Sequence, residues 1–518
     1  MQKEEKRIQT KADRWFSLGI VLFLACLLLM ESFSWRQTAF PKERREAVQM
    51  ALARDFAEGK NPYSREALLA DAFPSFNLYG FIHPLLGGLL ARATGANVLS
   101  VMTGLYAFYK LGACALMGTL VYRKHGNPVS ALVCAALLYT CFWRYVVYGG
   151  SMPDALGVFL TLVLYTLMER GIEKRRFHPV LMACGVLILF YTKLYFICVF
   201  VGIAAYLFCY ERKEFWKFAL SGVILGAASL AAVNALFPFY FTDSLLYLAG
   251  ALGYGIPYAI KQTAALGEYF PVVILMLLYD FFRGLWEIRK KRLSPRRFFS
   301  FPMLQTLCVF PCNFYFGGQY GTWLTYYLQL LMPAAILLFG GVFTRALQKL
   351  RAKETETLRG GLLEAAFLLL LLLPTCRYSL NIPMNRVQTE EWERLYARLD
   401  TLVSQAAEEK ESAPVYFLGS DLGFYCIYRQ QYTPDWGHCG YIEAECMEKW
   451  EASAFLQAVF PEAPLVYERF QRQIDRVYED IAGGVPAYVA IDENTYEYRV
   501  NEAVFAEKYE REAVYPVT

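Results

Sequence analysis

Charge is the scarcest thing in this chain. Only 19% of its 518 residues are Asp, Glu, Lys or Arg, while 56% are hydrophobic and 16% aromatic. A soluble domain of that length needs more charge to cover its surface, which excludes a water-soluble globular fold. No Walker-type or dinucleotide glycine motif occurs. Histidine is rare, and His83, His125, His178 and His438 do not have metal-site spacing. Thirteen cysteines are present without a C-x-x-C pair. Many of them (Cys26, Cys114, Cys134, Cys141, Cys184, Cys198) fall inside apolar segments, where they act as small hydrophobes. Only Cys426, Cys439 and Cys446 share a polar region. No metal, no cofactor and no nucleic-acid partner is expected.

What the chain has instead is apolar runs, such as Leu18 to Met30, Leu330 to Gly341 and Ala365 to Leu373. With their flanks they reach about 16 to 22 residues, enough to cross the roughly 30 Å hydrocarbon layer. Eleven spans are expected: 15–34, 98–121, 128–148, 153–168, 178–192, 194–210, 217–236, 270–286, 300–316, 325–344 and 361–375. The fold class is therefore an α-helical polytopic membrane protein. The first run, Trp15 to Met30, follows Lys3, Lys6, Arg7, Lys11 and Arg14. No small-x-small cleavage site follows it, so it reads as a retained anchor rather than a signal peptide. The spans at 178–192 and 194–210 are separated only by Lys193 and read as two short helices meeting there, the alternative being one long tilted helix.

Basic residues crowd alternate connections: Arg123 and Lys124; Arg170 with Lys174 to Arg176; Arg212, Lys213 and Lys217; Arg289 to Arg297; Arg345 to Arg359. The positive-inside rule puts these and the N-terminus in the cytoplasm, and eleven spans leave the C-terminus outside. Three external regions are large. The first, 35–97, contains a helical stretch from Glu43 to Gly59 and an apolar segment, Phe81 to Ala91, suited to the interface. The second, 237–269, mixes aromatics with Gly and Pro. The third supplies a domain boundary, with a membrane unit at 1–377 and an α/β unit at 378–518. Its expected strands are PVYFLG at Pro414 to Gly419 and PAYVAID at Pro486 to Asp492.

The external loop reads ERREAVQMALARDFAEGKNPY at 43–63, then FNLYGFIHPLLGGLL at 76–90. It resembles the clan C glycosyltransferases, polytopic enzymes that include protein O-mannosyltransferases and aminoarabinose transferases. The resemblance is carried by an acidic residue after the first span, by Gly59, Pro62 and Tyr63, and by Tyr79 with Pro84 and Leu85. Further along, SMPDALGVFLTLVLYTLMERG at 151–171 is similar to the family's Arg-Pro-Asp-x-Leu helix start. YTKLYF at 191–196 is similar to its Thr-Lys-Gln segment, and TYYLQLLMPAAILL at 325–338 to its late Tyr-Leu-x-Pro span. The resemblance covers most of residues 1–376. It implies an inverting transfer of a sugar from a polyprenyl-phosphate donor to a glycan, lipid or protein acceptor. The setting it implies is the bacterial plasma membrane.

That resemblance also implies roles. The acidic residue of the first loop is the general base, because a weakly acidic acceptor hydroxyl must lose its proton as it attacks the anomeric carbon. Glu46, thirteen residues before Gly59, fits best, with Glu43 one turn earlier in reserve. The family often has Asp-Glu here, whereas this chain has Arg45 before Glu46. The bland alternative is a solvated helix face shared with Arg44 and Arg45. Asp154 reads either as part of a site or as an ordinary helix start with Ser151 and Pro153, its carboxylate near the positive dipole end. Lys193 reads as facing the lipid phosphate or as snorkelling from a helix end. Arg144, His83 and Tyr327 complete the candidate substrate contacts. The rival function is a transporter or flippase of lipid-linked saccharides, and a third is an anchoring protein whose business is its C-terminal region.

Overall fold

The structure is a computed structural model; it describes residues 11–36, 44–69, 79–143, 152–242, 244, 255–319, 324–353, 366–368, 371, 394–405, 408, 415–418, 444–491 and 496–510. Helices dominate it. In chain order they are α1 (Lys11–Arg36), α2 (Arg44–Glu58), α3 (Arg65–Leu69), α4 (Ile82–Thr94), α5 (Val98–His125) and α6 (Pro128–Trp143). There follow α7 (Asp154–Lys174), α8 (Pro179–Thr192), a 3-10 turn (Leu194–Cys198), α9 (Val199–Tyr210) and α10 (Arg212–Leu236). Then come α11 (Gly255–Tyr269), α12 (Pro271–Arg289), α13 (Pro295–Phe298), α14 (Phe301–Gln319) and α15 (Leu324–Lys353). Each expected span but the last overlaps a helix; residues 144–148 of the third span and almost all of 361–375 lie outside the described residues. Among the described residues four helices are long and apolar enough to cross a membrane: α5, α7, α10 and the segment Gln329–Leu350 of α15. Shorter apolar helices include Pro128–Phe142, Pro179–Thr192 and Leu194–Tyr210.

Contacts fix the direction of each helix. Lys124 pairs with Glu169 at 2.6 Å and Arg123 with Glu173 at 2.9 Å, joining the C-terminal ends of α5 and α7. Arg296 meets Glu211 at 3.1 Å, and Arg345 meets Asp280 at 2.7 Å. These basic connections therefore gather at one end of the bundle, the basic end, as the charge alternation requires. The chain reverses at Lys193. α8 runs back along α7, with Gly185 against Leu164 and Lys193 beside Asp154. α9 then returns toward the basic end antiparallel to α14: Tyr195 lies by Phe316, Gly202 by Gln305 and Tyr206 by Phe301. Two short helices meeting at Lys193 is thus the correct reading of 178–210. Lys193 itself is extended (φ −164°, ψ 124°), which ends α8.

Lipid offers no hydrophobic reward for helix association, so the bundle relies on close contact at small residues. Gly157 faces Phe196, Gly202 faces Gln305, and Gly340 faces Val121 and Cys134, each too close for an added methyl. The far end is capped by the first loop. α2 packs on α4 and α5. It stops at Gly59, whose φ of +81° suits a residue without a Cβ. Asn61 Nδ2 donates to the Leu236 carbonyl at 2.7 Å, tying the loop to the end of α10. α4 buries His83, Pro84, Gly87, Gly88 and Ala91 and exposes Leu86, Leu89 and Leu90. That split is the amphipathic pattern of a helix lying along an interface.

Beyond the bundle, Val415–Leu418 and Tyr488–Ile491 pair in parallel, with Val415 opposite Tyr488. Both are the strands read from sequence. A parallel pair needs a long crossover, and helices Ala444–Glu451, Ala454–Val459 and Ala463–Gly483 lie within it. Leu395, Tyr396, Leu399 and Val415 share one apolar cluster with Val48, Leu52 and Phe56 of α2 and with Tyr191 and Tyr240. The C-terminal region thus packs onto the first loop. The expected boundary at 377/378 lies outside the described residues.

Candidate functional site

Lys193 occupies the break between α8 and the 3-10 turn, at the far end of the bundle and only 2% exposed. Its ammonium donates to both Asp154 oxygens, Oδ1 at 2.8 Å and Oδ2 at 2.9 Å. Tyr195 Oη donates to Asp154 Oδ1 at 2.6 Å. The ammonium also lies 4.3 Å from the centre of the Tyr79 ring and 5.2 Å from that of Tyr195. A lysine so enclosed is not snorkelling. Asp154 is the first residue of α7 and 1% exposed. It is therefore both a helix start and half of a buried ion pair.

Backbone geometry holds this cluster against the first loop. Gly80 N donates to the Thr192 carbonyl at 3.2 Å, and a Cβ on Gly80 would fall 1.7 Å from the Tyr191 carbonyl oxygen. Only glycine admits the approach, which carries Tyr79 onto Lys193. Phe81, next in sequence, packs on Tyr191, Phe237 and Tyr240. The same loop begins α4, whose His83 is fully buried beside Tyr109 of α5.

Glu46 lies in the first turn of α2 and is 3% exposed. Burial overturns the solvated-face alternative, because a carboxylate held in a packed loop must be engaged by polar groups. Glu43 and Arg144 lie outside the described residues, and Tyr327 belongs to α15 with its side chain outside them. Among the described residues no group of three or more His, Cys, Asp or Glu could hold a metal ion.

Sequence reasoning passed over several polar groups near this level. Tyr195 belongs to YTKLYF and Tyr79 to FNLYGFIHPLLGGLL, but nothing in a linear string says that they reach Lys193. Lys110 carried a usable signal, an ammonium in the middle of an expected span. It is buried in α5, with Nζ 4.1 Å from the centre of the Tyr139 ring. Gln329 and Asn313 are also buried, on α15 and α14.

No family model and no curated protein matches the sequence. The fold, by contrast, is shared with solved structures. The crystal structure of apo ArnT from Cupriavidus metallidurans aligns with a TM-score of 0.56 at 14% identity, over 94% of this chain and 94% of that one. ArnT from the same organism bound to undecaprenyl phosphate gives 0.53 at 14% identity, over 85% and 88%. The oligosaccharyltransferase AglB from Archaeoglobus fulgidus, in complex with an inhibitory peptide and a dolichol-phosphate, gives 0.51 at 12% identity, over 96% and 72%. The chain therefore shares its fold with ArnT and AglB.

Proposed function

We propose that the chain is an inverting membrane glycosyltransferase that moves a sugar from a polyprenyl-phosphate donor to an acceptor at the far end of the bundle. The observation that carries this reading is the buried carboxylate of Glu46 on the first-loop helix, in a fold shared with proteins solved with lipid phosphates bound. The acceptor hydroxyl attacks the anomeric carbon while the bond from that carbon to the phosphate oxygen breaks. Polyprenyl phosphate leaves on the opposite face, which inverts the centre, and the hydroxyl proton passes to Glu46, with Glu43 in reserve. Lys193 faces the donor phosphate, Asp154 orients the ammonium, and Arg144, His83 and Tyr327 supply further contacts. The far end is then extracytoplasmic, with eleven spans and a cytoplasmic basic end in a bacterial plasma membrane. The α/β unit at 378–518 lies outside with the acceptor.

The test is Glu46→Gln, which keeps size and hydrogen bonding but cannot take the proton. Transfer should fall by about 10²-fold or more while binding of donor persists, and Glu43→Gln should be milder. If neither substitution slows transfer, the base assignment is lost. One observation favours the second reading, a transporter or flippase: a helix broken at a buried ion pair is a common device at transport sites. Proteoliposomes separate the two. A transferase yields glycosylated acceptor, whereas a flippase moves labelled lipid-linked sugar across the bilayer without consuming it.

A further inference from the structure

Two buried amides in the far half of the bundle have work left to do. Gln329 on α15 is 1% exposed, and neither its Oε1 nor its Nε2 has a hydrogen-bond partner among the described residues. Asn313 on α14 is 2% exposed, and its Oδ1 likewise has none. Unpaired amide groups inside an apolar bundle are costly, so such groups call for an explanation.

Their placement supplies one. α14 and α15 are joined by residues 320–323, so positions equally far from that connection stand level across the pair. Asn313 is then level with Leu330, next to Gln329. It is also one turn from Phe316, whose ring lies 6.2 Å from that of Tyr195, the residue bonded to Asp154. On another side, Gly340 of α15 touches Val121 of α5, and the two helices run in the same direction. Gln329 and Lys110 each lie about three turns further toward the far end, so they too share a level. Asn313, Gln329 and Lys110 therefore stand at about one level of the bundle, roughly a helical turn from Phe316.

The chemistry of the unpaired atoms restricts the ligand. Two of the three are acceptor oxygens and one is a donor nitrogen. A phosphate offers only acceptors and cannot satisfy the two oxygens, whereas a sugar hydroxyl both donates and accepts. We propose that Gln329 and Asn313 form a subsite for the hydroxyls of the donor's sugar, beside the phosphate end held by Lys193. This inference rests on the glycosyltransferase reading and adds the residues that tell a glycosylated lipid from a bare one.

The test uses the full-length protein in detergent with undecaprenyl phosphate, either bare or carrying mannose, glucose or arabinose. Gln329→Met and Asn313→Leu remove the amides at similar volume, and thermal unfolding reports whether each variant is folded. Affinity for the preferred glycosylated lipid should drop roughly tenfold, affinity for the bare lipid should hold, and the midpoint of unfolding should stay or rise. Equal loss for bare and glycosylated lipid would overturn the subsite, as would a rise in stability with no change in either affinity. A wild-type protein that binds every lipid of the panel alike would overturn it too. A wild-type protein that does not bind bare undecaprenyl phosphate would instead bring down the glycosyltransferase reading itself.

Discussion

The two ends of the bundle handle charge in opposite ways. At the basic end, the ion pairs Arg123–Glu173, Arg296–Glu211 and Arg345–Asp280 join side chains that are a fifth to more than a half exposed. At the far end, Lys193 and Asp154 meet with side chains 3% and 2% exposed. Exposed pairs are hydrated in either state and contribute from nothing to about 1 kcal/mol each. A buried pair pays several kcal/mol per ion in desolvation, so a hydrophobic pair of equal volume often serves stability as well or better. The basic pairs thus fit an orienting role spread over many residues. The far pair concentrates its desolvation cost at one position.

Breaking the far pair from one side should have the largest effect on stability. Lys193→Met leaves the Asp154 carboxylate buried with Tyr195 as its remaining side-chain partner among the described residues, and about 3–5 kcal/mol of stability should go. The single variant therefore cannot separate donor binding from folding. Lys193→Met combined with Asp154→Leu should recover most of that loss in a thermal melt, yet still fail to bind polyprenyl phosphate. A double variant that binds the lipid normally would remove Lys193 from the phosphate site.

Next in size is the latch that holds the pair. Gly80→Ala must move either the Tyr79–Phe81 segment or the Tyr191–Lys193 backbone, because the added methyl meets a carbonyl oxygen rather than a flexible side chain. Overpacking of this kind costs about 1–3 kcal/mol. Since the shift carries Tyr79 off the Lys193 ammonium, donor affinity should fall with stability. A variant as stable and as tight-binding as wild type would mean that the first loop and the donor site are not coupled.

Much of this was legible in the chain itself. Apolar runs long enough for the bilayer placed the helices, and alternating basic connections gathered correctly at one end. The alternation of basic connections marked the reversal at 193, because only two helices meeting there keep it intact. Short runs of β-branched and aromatic residues, set between helical stretches, marked both strands. What was not legible depended on contacts distant in sequence. Asp154 meets Lys193 only because α8 folds back on α7, and Tyr79 reaches the pair only because Gly80 lacks a side chain. The docking of 394–405 and Val415 onto α2 left no local signal, since its apolar residues are those of any amphipathic segment. Lys110 and Gln329 sit inside expected spans, where the length of the apolar run hides its polar exceptions.

The smallest effect belongs to the basic end and sharpens the contrast. Arg296 reaches Glu211 at 3.1 Å and lies over the Tyr210 ring at 5.2 Å, with its side chain 58% exposed. Arg296→Ala should therefore change stability by less than about 1 kcal/mol, and by less still as salt is raised. Orientation should survive as well, because Arg289, Arg292 and Arg297 remain in the same connection and the bias is set by their sum. Cysteines introduced at Ser294 and Ser420 provide the readout in intact cells: a membrane-impermeant thiol reagent should reach Ser420→Cys and not Ser294→Cys, with or without Arg296. Labelling of both would sink the assignment of the basic end to the cytoplasm. A loss of several kcal/mol would show that this exposed pair does the same job as the buried one, and the division of labour between the two ends would fail.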